Sequence, residues 1–380
     1  MPNIATIPIS NILMGGDYTG TILVGPQSKP MNVILDTGSS ALALDSTKYQ
    51  PDVAGGDQTT DLAQTDSYGD GSSWTGAVIE TQISVGTGPD PVVLKGGNAA
   101  IAYHNSGQSM FGETDGILGL AYAPLDDAFT MPGDTWKNKY SDVQVRAGKQ
   151  ATIQPYLTQL SAAGVTADII SFVTRRSFVH VGGGDANDPL NQGLLILGGG
   201  AESTSLYTGP FQTVKVVSDA WYCTNLKSVI VGKADPIAAR INGPKGMPSN
   251  SIIDSGTNSL NLSSQMLKAI LSKFTPAQRE LLNKSISDGQ LVSAADLNLA
   301  DWPTLTFVLE GATEDVSLNV PPSNYWQVNT QNVGAAAAAI TPGQAGLAIL
   351  GLPLMNGYFT IFDGEADNGR GVVQFATLAN

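Results

Sequence analysis

The sequence predicts a mainly β protein that folds as two similar lobes. Short runs of β-branched and aromatic residues alternate with turn residues, and the 380 residues include 43 glycines and 21 prolines. A chain of this length exceeds one ordinary domain. A short motif also occurs once in each half of the chain. Together these observations favour two β lobes, which we expect to span residues 1–198 and 199–380.

Local patterns predict the individual elements. Apolar runs predict strands at residues 21–24, 33–35, 78–85, 214–217, 305–309 and 372–375. The serine pair at 263–264 can cap a helix whose apolar face includes Leu267 and Ile270, and a second helix is expected at residues 154–160. Polar or low-complexity composition predicts loops at residues 124–150, 182–192 and 334–346.

Composition excludes several partners and chemistries. The net charge of −14 disfavours binding to nucleic acid, and no apolar stretch is long enough to span a membrane. The sequence contains two histidines, His104 and His180, and a single cysteine, Cys223. Neither histidine lies in a motif that would activate a nucleophile, so we expect structural roles for both and a buried, unreactive Cys223. No metal and no cofactor are expected.

A repeated carboxylate motif is the most informative feature. An apolar run leads into Asp-Thr-Gly-Ser at residues 36–39 and another leads into Asp-Ser-Gly-Thr at residues 254–257. Each copy is followed later by an Ile-Leu-Gly-Leu sequence, at 117–120 and 349–352. One copy alone would indicate an ordinary turn. Two copies at equivalent positions predict that a pseudo-twofold axis brings the two aspartates to one centre.

Two carboxyl groups held this close predict a particular chemistry. They cannot both ionise, so the pair shares one proton over an acidic range. Such a pair can bind a water molecule, remove its proton as it attacks a carbonyl carbon, and polarise the carbonyl oxygen. This is amide hydrolysis without a covalent intermediate. A glycosidase fits less well, because it would place an acid and a base in unlike environments.

The neighbours of each aspartate suit this task. A glycine lets the backbone approach carboxylate and substrate. A hydroxyl three positions after the aspartate can donate to its outer oxygen. The residue directly after the aspartate can reach the main chain of the opposite lobe and lock the two loops. These pairs are Gly38 and Gly256, Ser39 and Thr257, and Thr37 and Ser255, and we expect Gly38, Gly256 and Thr257 to contact substrate as well.

The sequence resembles the pepsin-like aspartic proteases over most of its length. The motifs that carry the resemblance occur in family order at residues 36–39, 115–122, 197–199, 206–209, 254–257, 349–351 and 358–363. The resemblance implies a bilobal fold with a central cleft and a catalytic pair formed by Asp36 and Asp254. It also implies cleavage of extended peptide or protein segments between bulky apolar residues at acidic pH, binding of pepstatin-type inhibitors, and a monomer.

Residues 67–76 resemble the family's flap, a hairpin that closes over substrate. Tyr68 matches the flap tyrosine, and Gly69 is expected to contact substrate beside it. Asp70 occupies a position at which some fungal relatives carry aspartate and accept lysine, so we expect lysine to be tolerated before the cut. Ile34 and Ile117 are expected to line the same pocket as Tyr68.

The chain departs from the family pattern in three respects. The tryptophan that usually hydrogen-bonds the flap tyrosine is Ala43 here, so Tyr68 needs another partner. The usual disulfides are absent, and no signal peptide or propeptide precedes the first motif. These features resemble a cysteine-poor bacterial branch made without a prosegment, which implies a cytoplasmic enzyme, although the mature form of an exported enzyme would look the same. The alternative function is a non-catalytic relative that binds peptides in the same cleft, and Ala43 is its support.

Overall fold

The computed structural model describes residues 3–14, 16–69, 71–86, 91–104, 111–133, 135–183, 187–240 and 243–379. Strands account for most of the regular structure, so the predicted mainly β class is confirmed. No helix within these ranges combines the length and the apolar composition that a bilayer crossing requires.

Strands occur along the whole chain. Strands β1 to β13 are Ala5–Met14, Asp17–Val24, Lys29–Asp36, Leu42–Asp45, Gln58–Ser67, Ser73–Val85, Val92–His104, Gly116–Gly119, Asp127–Thr130, Lys149–Thr152, Ile169–Val173, Gln192–Leu197 and Tyr207–Lys215. Strands β14 to β27 are Cys223–Thr224, Leu226–Val231, Ile237–Ala238, Ser251–Ile253, Leu260–Ser263, Val292–Ser293, Leu305–Leu309, Val316–Val320, Trp326–Val328, Ala335–Ala338, Ile340–Gly343, Ala348–Leu350, Tyr358–Asp363 and Val372–Leu378.

One large sheet connects the two halves. Fifteen of the described strands pair in the order β10-β9-β5-β6-β7-β4-β8-β3-β2-β1-β12-β11-β26-β27-β13. This sheet therefore draws on residues from both sides of position 198. The three smaller sheets among the described residues use only strands β14 to β25. The lobe boundary expected at residue 198 stays a prediction.

The sequence repeat corresponds to a repeat of strand pairing. In the first half, β3 pairs in parallel with β8, which pairs antiparallel with β4. In the second half, β17 pairs in parallel with β25, which pairs antiparallel with β18. The motif strands β3 and β17 thus occupy equivalent places, and each Ile-Leu-Gly-Leu sequence supplies most of the strand beside its aspartate.

The α-helices of the described residues are short. Helices α1 to α7 are Asp142–Arg146, Tyr156–Ala162, Ser264–Leu271, Pro276–Ile286, Pro322–Tyr325, Leu352–Met355 and Ala366–Gly369. The helix predicted after Ser263 is confirmed, since that side chain accepts from the backbone of Met266. Helix α2 starts two residues later than predicted because Pro155 occupies its N-cap. Helix α4 was missed, although its capping box of Thr275 and Gln278 is visible in the sequence.

The loop prediction for residues 124–150 was wrong. Strands β9 and β10 form a hairpin there, and β9 continues the large sheet by pairing with β5. Helix α1 lies in the connection between these two strands. Exposed polar residues dominate the composition, but Phe129 and Val145 are buried with Ala63 and anchor the segment. In residues 182–192, Pro189–Asn191 forms a 3-10 turn, and residues 184–186 lie outside the described ranges.

The loop prediction for residues 334–346 was also wrong. The alanine run forms β23 between β19 and β22, and β24 pairs in parallel with β18. Ala336 is fully buried, and the Ser285 hydroxyl of α4 accepts from the backbone of Ala338 at 2.8 Å. Packing against α4 therefore overrides the low strand propensity of alanine. Cys223 is buried as predicted.

Candidate active site

Asp36 is the last residue of β3 and is only 5% exposed. The backbone N–H of Gly38 donates to its Oδ1 at 2.7 Å. The hydroxyl of Ser39 donates to its Oδ2. The tight turn after the strand therefore supplies donors to both carboxyl oxygens.

Asp254 follows β17 directly and is 7% exposed. The backbone N–H of Gly256 donates to its Oδ1 at 2.9 Å, and the hydroxyl of Thr257 donates to its Oδ2 at 2.7 Å. The second carboxyl group thus has the same kinds of donors at the same sequence offsets as the first. This is the set of contacts that the repeated motif predicts.

The two carboxyl groups meet across the lobes. A side chain at Gly38 would place its Cβ 2.7 Å from Oδ1 of Asp254, and a Cβ at Gly256 would collide with Oδ1 of Asp36. The charge of Asp254 accordingly acts on the carboxyl group of Asp36. Only glycine at these two positions lets each loop pass this close to the opposite carboxylate.

A reciprocal set of buried hydrogen bonds holds the two loops together. The backbone N–H of Thr37 donates to the Ser255 hydroxyl at 3.0 Å, and that of Ser255 donates to the Thr37 hydroxyl at 2.9 Å. Each hydroxyl in turn donates to the opposite strand, Thr37 to the carbonyl of Ile253 at 3.3 Å and Ser255 to that of Leu35 at 2.8 Å. We call this set the loop lock. It fixes the separation of the two aspartates.

Burial sets the electrostatics of the pair. Removal from water raises the pKa of Asp36 well above its ordinary value, and the charge of Asp254 raises it further. The hydrogen bonds from Ser39 and Gly38 lower that pKa but do not cancel the effect of burial. Two adjacent carboxyl groups with this environment retain a shared proton to higher pH than an isolated aspartate would.

A cleft of about 700 Å³ opens above the pair. Its lining brings together the following sequence-predicted residues: Ile34, Asp36, Gly38, Ser39, Tyr68, Gly69, Ile117, Asp254, Gly256 and Thr257. Thr37 and Ser255 lie beneath it in the loop lock, and Asp70 lies outside the described residues. The flap consists of the ends of β5 and β6, where Ser67 pairs with Ser73. This arrangement can hold an extended chain between flap and carboxyl groups.

Comparison with known proteins agrees with this geometry. A family model described as eukaryotic aspartyl protease matches residues 17–146 and 186–377. The chain belongs to this family. Gastricsin from Suncus murinus is 25% identical, with 96% of this chain and 82% of that protein covered. Rhizopuspepsin from Rhizopus chinensis is 23% identical at 99% and 82% coverage, and Pepsin-2B from Gadus morhua is 24% identical at 91% and 93%.

The flap tyrosine of this family member has a partner that the sequence analysis did not identify. The indole Nε1–H of Trp74 donates to the hydroxyl of Tyr68 at 3.0 Å. Trp74 belongs to β6, so the flap supplies its own tryptophan. Although residue 43 is an alanine, the Tyr68 hydroxyl therefore still accepts a hydrogen bond from an indole.

Small side chains make room for this indole. Trp74 is fully buried and packs in a cluster with Ala43, Ala100 and Ala102, each of which is also fully buried. Ile34 and Ile117 belong to the same cluster, and Tyr68 packs against it. A large residue at position 43 would compete with Trp74 for this space. The small side chain of Ala43 therefore leaves room for the indole of Trp74.

Two further residues of the protease cleft were missed. Trp221 donates its indole Nε1–H to the carbonyl of Gly38 at 2.9 Å, which links the second half to the first catalytic loop. Asp66 lines the cleft beside the flap. No motif marked either residue, and the contact of Trp221 joins segments that are distant in the sequence. Within the described ranges, no group of three histidine, cysteine, aspartate or glutamate side chains is arranged to hold a metal ion.

Proposed function

We propose that this chain is an aspartic endopeptidase that hydrolyses extended peptide segments at acidic pH. The supporting observation is the close approach of each aspartate to the glycine of the opposite loop, with matching donors on each carboxyl group. Family membership supports the same reaction, because the matching model and relatives are aspartyl proteases by name.

The mechanism follows from the shared proton. A water molecule held between the carboxyl groups loses a proton to the ionised member as its oxygen bonds to the peptide carbonyl carbon. The protonated member gives its hydrogen to the carbonyl oxygen, which forms a neutral tetrahedral intermediate. Transfer of a proton to the amide nitrogen then allows the C–N bond to break. Ser39 and Thr257 donate to the outer carboxylate oxygens and stabilise the charge that moves between them.

The cleft walls support a preference for bulky apolar residues at the cut. Ile34 and Ile117 line the cleft and cluster with the flap tyrosine. A second apolar cluster of the lining consists of Ile252, Leu347 and Ile349. Backbone hydrogen bonding by the flap and the cleft would supply affinity, and these apolar surfaces would select the side chains beside the cut. Tolerance of lysine through Asp70 stays a prediction, which Asp70→Thr would test by a selective loss of cleavage after lysine.

The non-catalytic alternative has lost its main support. It depended on Ala43, which removed the usual partner of the flap tyrosine, whereas Trp74 supplies an indole donor to Tyr68. Membership of a prosegment-less bacterial branch, a monomeric state and binding of pepstatin-type inhibitors are further parts of the proposal. The named relatives come from Suncus murinus, Rhizopus chinensis and Gadus morhua and do not bear on that branch.

The test is digestion of a denatured protein between about pH 3 and 6, where a shared proton is expected, with and without a pepstatin-type inhibitor. We expect cleavage between bulky apolar residues, identified by mass spectrometry, and its loss when the inhibitor is present. Binding of the substrate without cleavage at any pH in this range would contradict the proposal and favour the peptide-binding alternative.

A further inference from the structure

Trp221 reaches from the second half of the chain into the first catalytic loop. Its indole Nε1–H donates to the carbonyl of Gly38 at 2.9 Å, although the two residues are 183 positions apart in the sequence. The indole is half-buried, lines the cleft, and packs against an apolar cluster that includes Ile252 and Leu347. Residues of the second half therefore hold a side chain whose donor acts on the first half.

The backbone around Trp221 is fixed to the strand that carries the second aspartate. Strand β14 pairs antiparallel with β17 directly after this segment. The N–H of Ile253, the residue before Asp254, donates to the carbonyl of Tyr222 at 3.2 Å. The position of Trp221 is therefore set by the second catalytic strand.

Tyr222 makes a second contact with the first half. Its buried hydroxyl donates to the carbonyl of Leu120 at 3.2 Å, and the N–H of Leu120 donates to the carbonyl of Asp36 at 2.7 Å. Two consecutive side chains thus bond the first half at Gly38, in the turn after the aspartate, and at Leu120, beside it. We call Trp221 and Tyr222 the brace.

Position 38 needs a restraint from outside its own loop. A Cβ there would lie 2.7 Å from Oδ1 of Asp254, so glycine is required, and glycine has the greatest backbone freedom of any residue. The Gly38 carbonyl lies between the two groups that donate to Asp36, the Gly38 N–H and the Ser39 hydroxyl. A hydrogen bond to this carbonyl therefore restricts the turn that carries both donors.

We propose that Trp221 is a positioning residue for the reaction, whose indole N–H holds the Gly38 carbonyl so that Gly38 and Ser39 keep their hydrogen bonds to Asp36. The inference rests on the proposed function, because it concerns the carboxyl groups as an acid and base pair. The loop lock bonds Thr37, one residue earlier, and does not include Gly38. The brace thus adds a restraint that the loop lock lacks.

The first half has a different residue at the position that corresponds to Trp221. Thr19 of β2 and Cys223 of β14 each lie opposite the residue two positions before a catalytic aspartate. Two positions earlier the chain has Asp17 in the first half and Trp221 in the second. An ionised carboxylate has no hydrogen to donate to a carbonyl. Loss of the indole donor is therefore expected to affect the two catalytic loops unequally.

The first test uses the uncomplexed protein and needs no activity. Trp221→Phe keeps an aromatic ring and removes the N–H donor. Amide hydrogen exchange, followed by NMR, should become about fivefold faster at Gly38, the effect of one hydrogen bond, and should not change at Gly256. The matched control is Trp136→Phe, at a half-buried tryptophan outside the cleft lining, which should leave both glycines unchanged. Unchanged exchange at Gly38 in Trp221→Phe would overturn the proposal.

The second test separates positioning from substrate binding. Trp221→Phe should lower kcat by about fivefold, whereas KM should change by less than about twofold because the aromatic surface in the cleft is retained. Trp136→Phe should change neither constant. A higher KM with an unchanged kcat would show that the indole only binds substrate, which contradicts a positioning role.

A double-mutant comparison identifies the route of the effect. Because Trp221 acts through the turn that carries Ser39, the loss of kcat in Trp221→Phe should shrink in a Ser39→Ala background. It should keep its full size in Thr257→Ala, which removes the equivalent donor to Asp254. Equal losses in the two backgrounds would exclude a route through Gly38. A wild type without peptidase activity would instead refute the proposed function, and amide exchange at Gly38 would then decide on Trp221.

Discussion

The two catalytic loops are nearly identical in their contacts and different in their surroundings. Asp36 and Asp254 each accept from a backbone N–H two positions on and a hydroxyl three positions on. The hairpin that carries Tyr68 belongs to the first half, and Tyr68 packs against Ile34 and Ile117 of that half. The equivalent positions Ala43 and Asn261, opposite Ile117 and Ile349, also differ: the alanine is buried, whereas the asparagine lines the cleft. The donors to the carboxyl groups are duplicated, whereas the flap hairpin belongs to one half.

The largest expected effect tests the equivalence of the two aspartates. Asp36→Asn and Asp254→Asn should each lower kcat by about a thousandfold, because each removes either the acid or the base from the shared pair. Peptide cleavage measures the loss, circular dichroism checks folding, and Asp61→Asn on exposed β5 is the matched control. Substantial activity in either variant would mean that the two halves do not share the reaction.

The next effect concerns a buried acid in the half that carries the flap. Burial raises the pKa of Asp126 to about 7, although Gln64 donates to it at 2.6 Å. The folded protein therefore holds this proton to higher pH than the unfolded chain. The stability that this provides is complete below about pH 4 and is lost as pH rises through about 7.

In Asp126→Asn, the unfolding free energy that is lost as pH rises should be smaller by about 3 kcal/mol. Denaturant unfolding at several pH values measures this loss. The control is Asp61→Asn, because its carboxylate is exposed and is not among the groups that shift the pKa of Asp126. If the wild type were as stable at pH 8 as in mild acid, burial of Asp126 would not be the source of acid preference.

The smallest effect tests the symmetry of the loop lock. Thr37→Val and Ser255→Ala should each cost about 2 kcal/mol of unfolding free energy, since each leaves buried backbone groups without partners. The double variant should cost less than the sum because both act on one network. Thr59→Val, at an exposed strand position, should be nearly neutral. A marked inequality between the two single variants would show that one half dominates the lock.

Features encoded by consecutive or repeated residues could be predicted from the sequence. Features that depend on contacts between distant segments could not. The duplicated motif predicted the carboxyl pair, because strand, turn and donors are consecutive in each copy. The alanine run at 335–338 could not be recognised as a strand, since its burial depends on α4. Trp74 and Trp221 were missed because their acceptors, Tyr68 and the carbonyl of Gly38, become neighbours only through hairpin pairing or contact between the halves.

The packing of Trp74 among alanines has a consequence for how such proteases can diverge. An indole from position 43 and an indole from position 74 would occupy overlapping space, so an ancestor carrying both would be overpacked. An ancestor carrying neither would have a void beneath the flap and a tyrosine without its donor. A change from one arrangement to the other therefore requires substitutions at both position 43 and position 74. Because a single substitution produces either overpacking or a void, a lineage with one arrangement tends to keep it.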